Sequence, residues 1–311
     1  MQLCLGYKEK MQRAKHLTLY LNDHQQQQLA EGRAGMVGLV KQSVEQAGWQ
    51  TAILHDTESH LCAAKAGYHL MLNKPVPGPN AAVLRKCYLD PFWRIEPTND
   101  RWDWEVSGLD FEPARINPER AAAFLDRWRT TLFKDTPIAD QGHIFMPLQG
   151  KLTTRRHFQA QSPADMILTT LKSDPERQVL ATLHPGEVYT KGELDRLAQI
   201  EQAHPRFHLS SLASMDLLAG CSYVVTQNSG LALKGFFAKK PAVLFAKIDF
   251  HHIAGVVPQM GPAAAFRHVR TAPPAFDAYV QWFFKWHAIT VWSDSVMATI
   301  QARLRTLGWP I

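Results

Sequence analysis

The sequence predicts an α/β protein built around parallel β-sheets. Between residues 178 and 250, short apolar and β-branched runs alternate with amphipathic runs. One amphipathic run, residues 190–203, places Leu194, Leu197 and Ile200 at three-residue steps, as on one face of a helix. The same alternation occupies residues 16–89. Strands that alternate with helices form crossover units and parallel sheets, so we expect such a sheet in each half of the chain.

The chain is long enough for two domains of ordinary size, since it has 311 residues, of which 46% are hydrophobic and 20% charged. Residues 134–142 interrupt the α/β pattern, and we place the domain boundary there, near Asp140. The prediction is an N-terminal domain over residues 1–139, a second domain over 140–275, and C-terminal helices over 276–311 that pack on or across the domains.

In the N-terminal domain, strands are expected over residues 16–22, 51–56, 67–73 and 81–89, with a helix over 36–48. Gly32 and Gly35 precede that helix with a spacing that does not match the dinucleotide fingerprint. A flexible acceptor-side loop and a simple turn both fit them. Residues 90–108 show no clear period and hold three tryptophans, which we interpret as plugging a long loop onto the core rather than stacking on substrate.

The helix predicted over residues 118–133 opens at Pro118 and shares one face among Ala122, Leu125, Trp128 and Leu132. In the second domain, Ser162 is the expected N-cap of a helix, with Asp165 at its third position. Strands are expected over residues 143–149, 178–184, 206–210, 222–227 and 241–246. Residues 231–238 read as a helix and residues 215–221 as a short helix or turn. Residues 259–276 read as a loop, and the aromatic-rich end is mainly helical.

A net charge of +6 and a sequence pI near 9.1 fit an anionic substrate, an anionic membrane face or nucleic acid, and equally mere solubility. The absence of an RNA-binding signature makes nucleic acid the least favoured partner. Four widely spaced cysteines suggest neither a zinc site nor a disulfide framework. No signal-peptide core or membrane-span run is evident, so we expect a cytoplasmic protein that reaches a membrane only at its surface, on the inner membrane face.

Two polar motifs follow strands of the second domain, where ligands of parallel sheets bind. In His184-Pro185-Gly186-Glu187, the imidazole could donate a hydrogen bond to a phosphate oxygen and protonate a leaving group. Phosphates also bind at helix N-termini through free N–H groups. A structural histidine at a strand end is the alternative, and for an isolated His-Pro it is the favoured one.

The second motif, Gln227-Asn228-Ser229-Gly230, follows a strand that ends near Thr226. Asn228 and Ser229 are good N-caps, and Gly230 lets the backbone approach a ligand. These groups could hold a phosphate oxygen, or they could simply cap a helix. Lys234, about one helical turn further on, could reach toward an anion.

The ordered set of motifs resembles the capsule polysaccharide biosynthesis family, which includes bacterial β-Kdo transferases. It comprises PLQ at 147–149, a serine-proline helix start, a strand ending in His-Pro, and TQNSGLALKGFFAKKPAVLF at 226–245. The resemblance covers roughly residues 143–254, with a weaker echo over 114–133. It implies a GT-B architecture, in which two Rossmann-like domains face each other across a cleft. The N-terminal domain would serve the acceptor and the C-terminal domain the donor nucleotide.

The resemblance also implies roles for particular residues. His184 would contact the donor phosphate and assist CMP departure, Asn228 and Ser229 would line the same phosphate, and Gln149 would lie near the donor or acceptor. The implied donor-binding set is Gln149, His184, Pro185, Gly186, Thr226, Asn228, Ser229, Gly230 and Lys234. No metal and no cofactor is expected, because no Asp-x-Asp or His cluster marks the site and the nucleotide sugar is a substrate.

The chain departs from the family pattern at several positions. Lys234 stands where the family places Glu, Lys239 stands where it places Gly, and residues 150–156 lack the acid that often follows PLQ. Transfer with inversion needs a base on the acceptor hydroxyl. Asp56 or Glu58, at the end of an N-terminal strand, could supply it.

The sequence thus predicts an inverting glycosyltransferase of bacterial surface polysaccharide synthesis, with a nucleotide-sugar donor, CMP-Kdo first among them, and a glycan or glycolipid acceptor. A non-catalytic relative that binds a polysaccharide or an assembly partner is one alternative, favoured by Lys234 and the missing acid. A different GT-B or epimerase-like enzyme that uses a UDP-sugar is the other.

Overall fold

The computed structural model describes residues 15–33, 35–271 and 273–311, apart from the side chains of residues 61–64. Contacts divide the chain into two compact units: unit 1 combines Met1–Gly108 with Phe284–Ile311, and unit 2 is Leu109–Phe283. Each unit contains a six-stranded sheet that is wholly or mostly parallel. The predicted α/β class with two such sheets is therefore confirmed.

The sheet of unit 1 has the strand order β12-β5-β4-β3-β1-β2. Its strands are β1 (His16–Leu21), β2 (Gln50–His55), β3 (Tyr68–Leu72), β4 (Ala81–Lys86), β5 (Phe92–Glu96) and β12 (Ile289–Thr290). Strands β1 to β4 pair in parallel, whereas β5 runs antiparallel to β4 and β12 antiparallel to β5. The chain leaves β1 for β2 on one side and then crosses to β3 on the other, so the β1/β3 junction is a topological switch point.

Unit 1 has three α-helices in its described part: α1 (Asp23–Ala30), α2 (Gly35–Gln46) and α10 (Val296–Thr306). Apolar side chains of α2 and α10, such as Val40 and Ile300, pack on one face of the sheet with Leu19. On the other face, Tyr20 and Met71 form a smaller cluster. Helix α1 lies between the first strand and the segment of Gly32 and Gly35, where no helix was predicted.

The sheet of unit 2 has the strand order β11-β10-β9-β6-β7-β8, and every pair in it is parallel. Its strands are β6 (His143–Pro147), β7 (Gln178–Thr182), β8 (Phe207–Leu209), β9 (Cys221–Thr226), β10 (Ala242–Leu244) and β11 (Gly255–Val256). The expected strands are thus present, each within a few residues of its predicted bounds.

Helices cover both faces of the unit 2 sheet. They are α3 (Pro118–Phe133), α4 (Pro163–Ser173), α5 (Lys191–Ala203), α6 (Ser214–Gly220), α7 (Gly230–Phe237), α8 (Val257–Thr271) and α9 (Phe276–Gln281). Tyr223 and Val225 join the core formed with α4, α5 and α8. Val224 points the other way, toward Gly235 of α7. This alternation along β9 is what a strand buried on both faces requires.

Several boundaries differ from the predictions. The contact-based division falls at Gly108 and Phe283 rather than near Asp140, since α3 packs on α7 and α9 within unit 2. Of the residues predicted to share the buried face of α3, Leu125 is buried but Ala122 is exposed. The C-terminal segment is also divided, because α9 belongs to unit 2 and α10 to unit 1.

Two segments predicted to be irregular contain regular structure. Phe92–Glu96 is the strand β5, and the expected loop over residues 259–276 is largely the helix α8. Helix α8 is interrupted at Gly261, which has a non-helical φ of 73° and is followed by Pro262. Trp104 is buried within unit 1 and its indole N–H donates to the Thr98 carbonyl, in keeping with a packing role.

Within the described residues no helix combines the length and apolarity that a membrane crossing requires. Cys87 and Cys221 are buried, and burial raises the pKa of Cys221 to about 12. Cys4 and the N-terminal segment examined for a signal peptide lie outside the described residues, as does the side chain of Cys62.

Candidate functional site

The two sequence motifs and Gln149 come to one edge of the unit 2 sheet. Strands β7, β6 and β9 are adjacent and parallel, so the loops that follow them leave at the same carboxyl edge. With strands about 4.8 Å apart, the loops after β7 and β9 are about 10 Å apart, with the β6 loop between them. His184, Gln149 and Asn228 therefore stand on three consecutive strand ends.

The imidazole of His184 is held by its own loop. Its Nδ1 accepts the backbone N–H of Gly186 at 3.1 Å, while the backbone N–H of His184 donates to the Tyr189 hydroxyl at 2.9 Å. Because Nδ1 accepts, the neutral ring carries its proton on Nε2. The side chain is exposed, and no described residue is bonded to Nε2. The ring thus offers an N–H donor to an external group.

Pro185 and Gly186 shape this loop. A Cβ at Gly186 would lie 3.2 Å from His184 Cε1 and would press on the ring. Glycine therefore permits the imidazole to fold back over the turn. Both residues belong to the predicted donor-binding set, and Gly186 helps to orient His184 by donating its N–H to Nδ1.

The loop after β9 leads into the N-terminus of α7. Ser229 is its N-cap, and its Oγ accepts the Leu231 N–H at 3.3 Å. No acidic residue lies in the first turn of α7, so no carboxylate of the helix itself offsets the positive end of its dipole. Gly230 begins the helix and is half-buried. Asn228 Nδ2 donates weakly to the Lys247 carbonyl at 3.5 Å.

The remaining members of the predicted set have distinct surroundings. Thr226 is fully buried and donates through Oγ1 to the Pro147 carbonyl at 3.0 Å, which ties β9 to β6. Gln149 is half-buried, and its Oε1 has no hydrogen-bond partner among the described residues. Lys234 is half-buried in α7 and forms no ion pair with any residue that the structure describes.

The sequence interpretation gave no role to Gln227 and Glu187. Gln227 is buried, its Nε2 donates to the Gln161 carbonyl at 3.2 Å, and its Oε1 lacks a partner among the described residues. Glu187 reaches from the β7 loop to the β6 loop, where its carboxylate lies against Gly150. Both belong to the two motifs, and position in the motif was the available signal.

Asp56, the predicted catalytic base, belongs to unit 1 and follows β2 directly. Its carboxylate lies 3.3 Å from Lys74 Nζ and 3.6 Å from His55 Nδ1. Glu58 lies 3.6 Å from Lys65 Nζ. Both carboxylates are thus already engaged by neighbouring cationic or titratable groups.

Unit 1 has a cavity of about 550 Å³ at the carboxyl edge of its own sheet. It lies beside the β1/β3 switch point and the start of α2. Its lining includes basic and aromatic side chains: His24, Arg33, Lys86, Trp93 and Trp292. Its volume is within the range of small-ligand pockets. The cationic and aromatic lining would suit a ligand with an anionic group and an apolar face.

Nowhere in residues 15–33, 35–271 and 273–311 do three His, Cys, Asp or Glu side chains converge as a metal site would require. Chemistry without a metal or cofactor stays a prediction.

No family model matches the chain, and no curated protein matches it. Solved structures similar to it include KpsC, a β-Kdo 2,7-transferase of Thermosulfurimonas dismutans, at 14% identity over 85% of this chain and 88% of that chain, with a TM-score of 0.49. The wall teichoic acid polymerase TagF aligns at 9% identity over 94% of this chain and 88% of that chain, with a TM-score of 0.31. The UDP-GlcNAc 2-epimerase of Methanocaldococcus jannaschii aligns at 9% identity over 94% of this chain and 99% of that chain, with a TM-score of 0.35. At these identities and TM-scores the likenesses assign no activity to this chain.

Proposed function

We propose that the chain is a glycosyltransferase of bacterial surface polysaccharide synthesis that takes a sugar from a nucleotide-sugar donor. The observation that supports this most is the placement of an imidazole N–H donor and a helix N-terminus without an acidic residue in its first turn at the carboxyl edge of one parallel sheet. Both features bind phosphate, and a nucleotide sugar presents phosphate next to the bond that breaks. CMP-Kdo is the leading donor, on the motif resemblance alone.

In the proposed reaction, His184 donates its Nε2 proton to the phosphate oxygen that leaves with the nucleotide. Ser229 and the first turn of α7 hold the same phosphate, with Asn228 and Lys234 as further donors. Gln149, on the strand end between the two loops, contributes the amide oxygen that has no hydrogen-bond partner in the described part of the chain. The cavity of unit 1, with its cationic and aromatic lining, is our candidate for the acceptor site.

His184→Ala is expected to lower turnover about a hundredfold without loss of folding, because general acid catalysis commonly contributes that much. The chain supplies a matched control in His204-Pro205, a second His-Pro pair that ends α5. Turnover of CMP-Kdo and of UDP-GlcNAc would be followed by release of free nucleotide. Equal rates for wild type and His184→Ala, with His204→Ala also unchanged, would remove His184 from the mechanism.

A non-catalytic relative that binds nucleotide or polysaccharide is the second candidate, because residues 150–156 carry no acid. A chain of this kind would bind a nucleotide but release no sugar. Competition between CMP and UDP for the site would further separate a CMP-sugar enzyme from one that uses a UDP-sugar.

A further inference from the structure

Carboxylates are rare at the carboxyl edge of the unit 2 sheet. The loops that leave the strands there span residues 148–162, 183–190, 210–213, 227–229 and 245–254, all of them described. Within these loops the acids are Glu187 and Asp249. Asp249 is completely buried, whereas Glu187 is exposed. Glu187 is therefore the carboxylate of these loops that an external group can reach.

The carboxylate of Glu187 occupies the space that a side chain at position 150 would fill. A Cβ built on Gly150 would collide with Glu187 Oε2, and it would lie 2.8 Å from Cδ and 3.4 Å from Cγ. Residues 150–156 contain no acid of their own. A side chain from the β7 loop thus places an acid where the β6 loop lacks one, next to Gln149.

Charged and titratable groups surround this carboxylate without neutralising it by contact. Burial lowers the pKa of Arg156 on the β6 loop, and the negative charge of Glu187 opposes this in part. Glu187 also lies near Tyr189, whose pKa is raised by burial and, to a smaller extent, by this charge. No Lys, Arg or His of the described chain forms an ion pair with Glu187 within 4.0 Å. The oxygens therefore remain available as proton acceptors.

We propose that Glu187, and not Asp56, is the general base of the glycosyl transfer, an inference that rests on the proposed function. Its carboxylate takes the proton of the acceptor hydroxyl as that oxygen bonds to the anomeric carbon of the donor sugar. The bond from the anomeric carbon to the donor phosphate oxygen breaks, and its electron pair leaves on the nucleotide. His184 donates its Nε2 proton to that oxygen, so one proton is taken up and one is released.

Four substitutions test this proposal: Glu187→Gln and Glu187→Ala, together with Gly150→Asp and Gly150→Ala, the last two made in both the wild-type and the Glu187→Ala backgrounds. Transfer from CMP-Kdo to a fluorescent synthetic Kdo glycoside gives kcat, and calorimetry with CMP gives nucleotide affinity. Glu187→Gln keeps the volume but loses the basic oxygen, so we expect kcat to fall about a hundredfold while the CMP Kd stays within about twofold. Glu176→Gln, an exposed glutamate before β7, is the matched control and should leave kcat unchanged.

The double variant that moves the carboxylate from position 187 to position 150 is the most direct test. Gly150→Asp combined with Glu187→Ala returns a carboxylate to the same space from the other loop, so we expect kcat to recover about tenfold over Glu187→Ala. Gly150→Ala should lower kcat in the wild-type background, because it displaces the carboxylate, and should have no further effect once Glu187 is removed.

Three results would overturn the inference. If the wild type is active and Glu187→Gln has the same kcat, Glu187 is not the base, but the proposed function is unaffected. In the Glu187→Ala background, Gly150→Asp could recover no more activity than Gly150→Ala does, which reduces Glu187 to a packing role. The wild type could neither bind CMP or UDP nor turn over CMP-Kdo or UDP-GlcNAc, which overturns both proposals together.

Discussion

At the scale of single residues, hydrogen bonds decide which histidine can act. His184 has Nδ1 occupied by its own loop and Nε2 exposed. By contrast, His143 is buried and its Nε2 is bonded to the Leu217 carbonyl at 3.0 Å, while burial lowers its pKa. A residue type alone does not carry a role, since the role depends on which ring nitrogen is free.

Ser229 offers a prediction that separates capping from binding. Ser229→Ala should cost about 1 kcal/mol of unfolding free energy, because the first-turn N–H of Leu231 loses its acceptor. It should also weaken CMP binding, since the same end of α7 faces the phosphate in our proposal. Chemical denaturation and calorimetry would measure the two effects.

Asn117→Ala is the control for that experiment, because Asn117 caps α3 by accepting the Arg120 N–H at 2.9 Å. We expect a similar loss of stability and no loss of CMP affinity. Equal losses of affinity in both variants would mean that the effect of Ser229 is one of stability alone.

Part of the geometry of the candidate site could be expected from residue identities. His184 and Ser229 follow strands whose β-branched, apolar character is legible in the sequence, so their shared edge could be expected. The place of Glu187 could not, because its carboxylate lies against Gly150, 37 positions away in the chain and on a neighbouring strand end. Only the register of β6 beside β7 brings those two loops together.

At the scale of elements, hydrogen bonds and ion pairs of a largely buried arginine connect α10 to β5. Arg303 donates to Glu96 at 2.7 Å and to the Ile95 carbonyl at 2.7 Å, and it also bonds Glu105. Burial raises the pKa of Glu96, and the charges of Arg303 and Arg94 oppose this. This network explains why β5 was not predicted: Arg94 and Glu96 look like surface residues until a helix from the C-terminus pairs with them.

Arg303→Ala should therefore destabilise unit 1 by about 3 kcal/mol, since it leaves the buried Glu96 carboxylate without its closest cation. Arg305→Ala on the same helix is the control, because Arg305 is exposed and bonds the Ile311 carbonyl. Denaturant titration compares the two, and a loss for Arg303→Ala no larger than that for Arg305→Ala would contradict the role given to the network.

The helix α8 shows a second limit of sequence patterns. Residues 259–276, which include Gly261-Pro262, were predicted to be a loop. In the structure the break is a kink at Gly261 between two helical pieces, and Phe266 beyond it is completely buried in the unit 2 core. Burial of side chains after the kink stabilises the helix there, and the presence of Gly and Pro in the sequence does not reveal this burial.

At the scale of the whole molecule, buried histidines contribute to the loss of stability in acid. Burial lowers the pKa of His287 to about 4, with the charge of Arg94 as a second cause, and it also lowers the pKa of His69 and His143. In the unfolded chain these histidines bind a proton at about pH 6.5. Between about pH 6.5 and 4 the unfolded state therefore holds more protons, and the unfolding free energy falls as the pH is lowered.

We expect the urea concentration at the unfolding midpoint to decrease as the pH is lowered from about 7 to about 4.5. Each histidine lowers the unfolding free energy by at most about 1.4 kcal/mol per pH unit. His287→Gln should make the dependence shallower, whereas His60→Gln, at an exposed position, should not. A pH dependence that is as steep in His287→Gln as in wild type would contradict this assignment.

The central claim is that His184 and the start of α7 hold one phosphate group, and a double-mutant cycle on CMP binding tests it most directly. Calorimetry on wild type, His184→Ala, Ser229→Ala and the double variant gives four affinities. We predict that each single change weakens CMP binding about tenfold and that the double loss is smaller than the sum, because the groups share a ligand. Strictly additive losses, or a wild type that binds neither CMP nor UDP, would contradict the account.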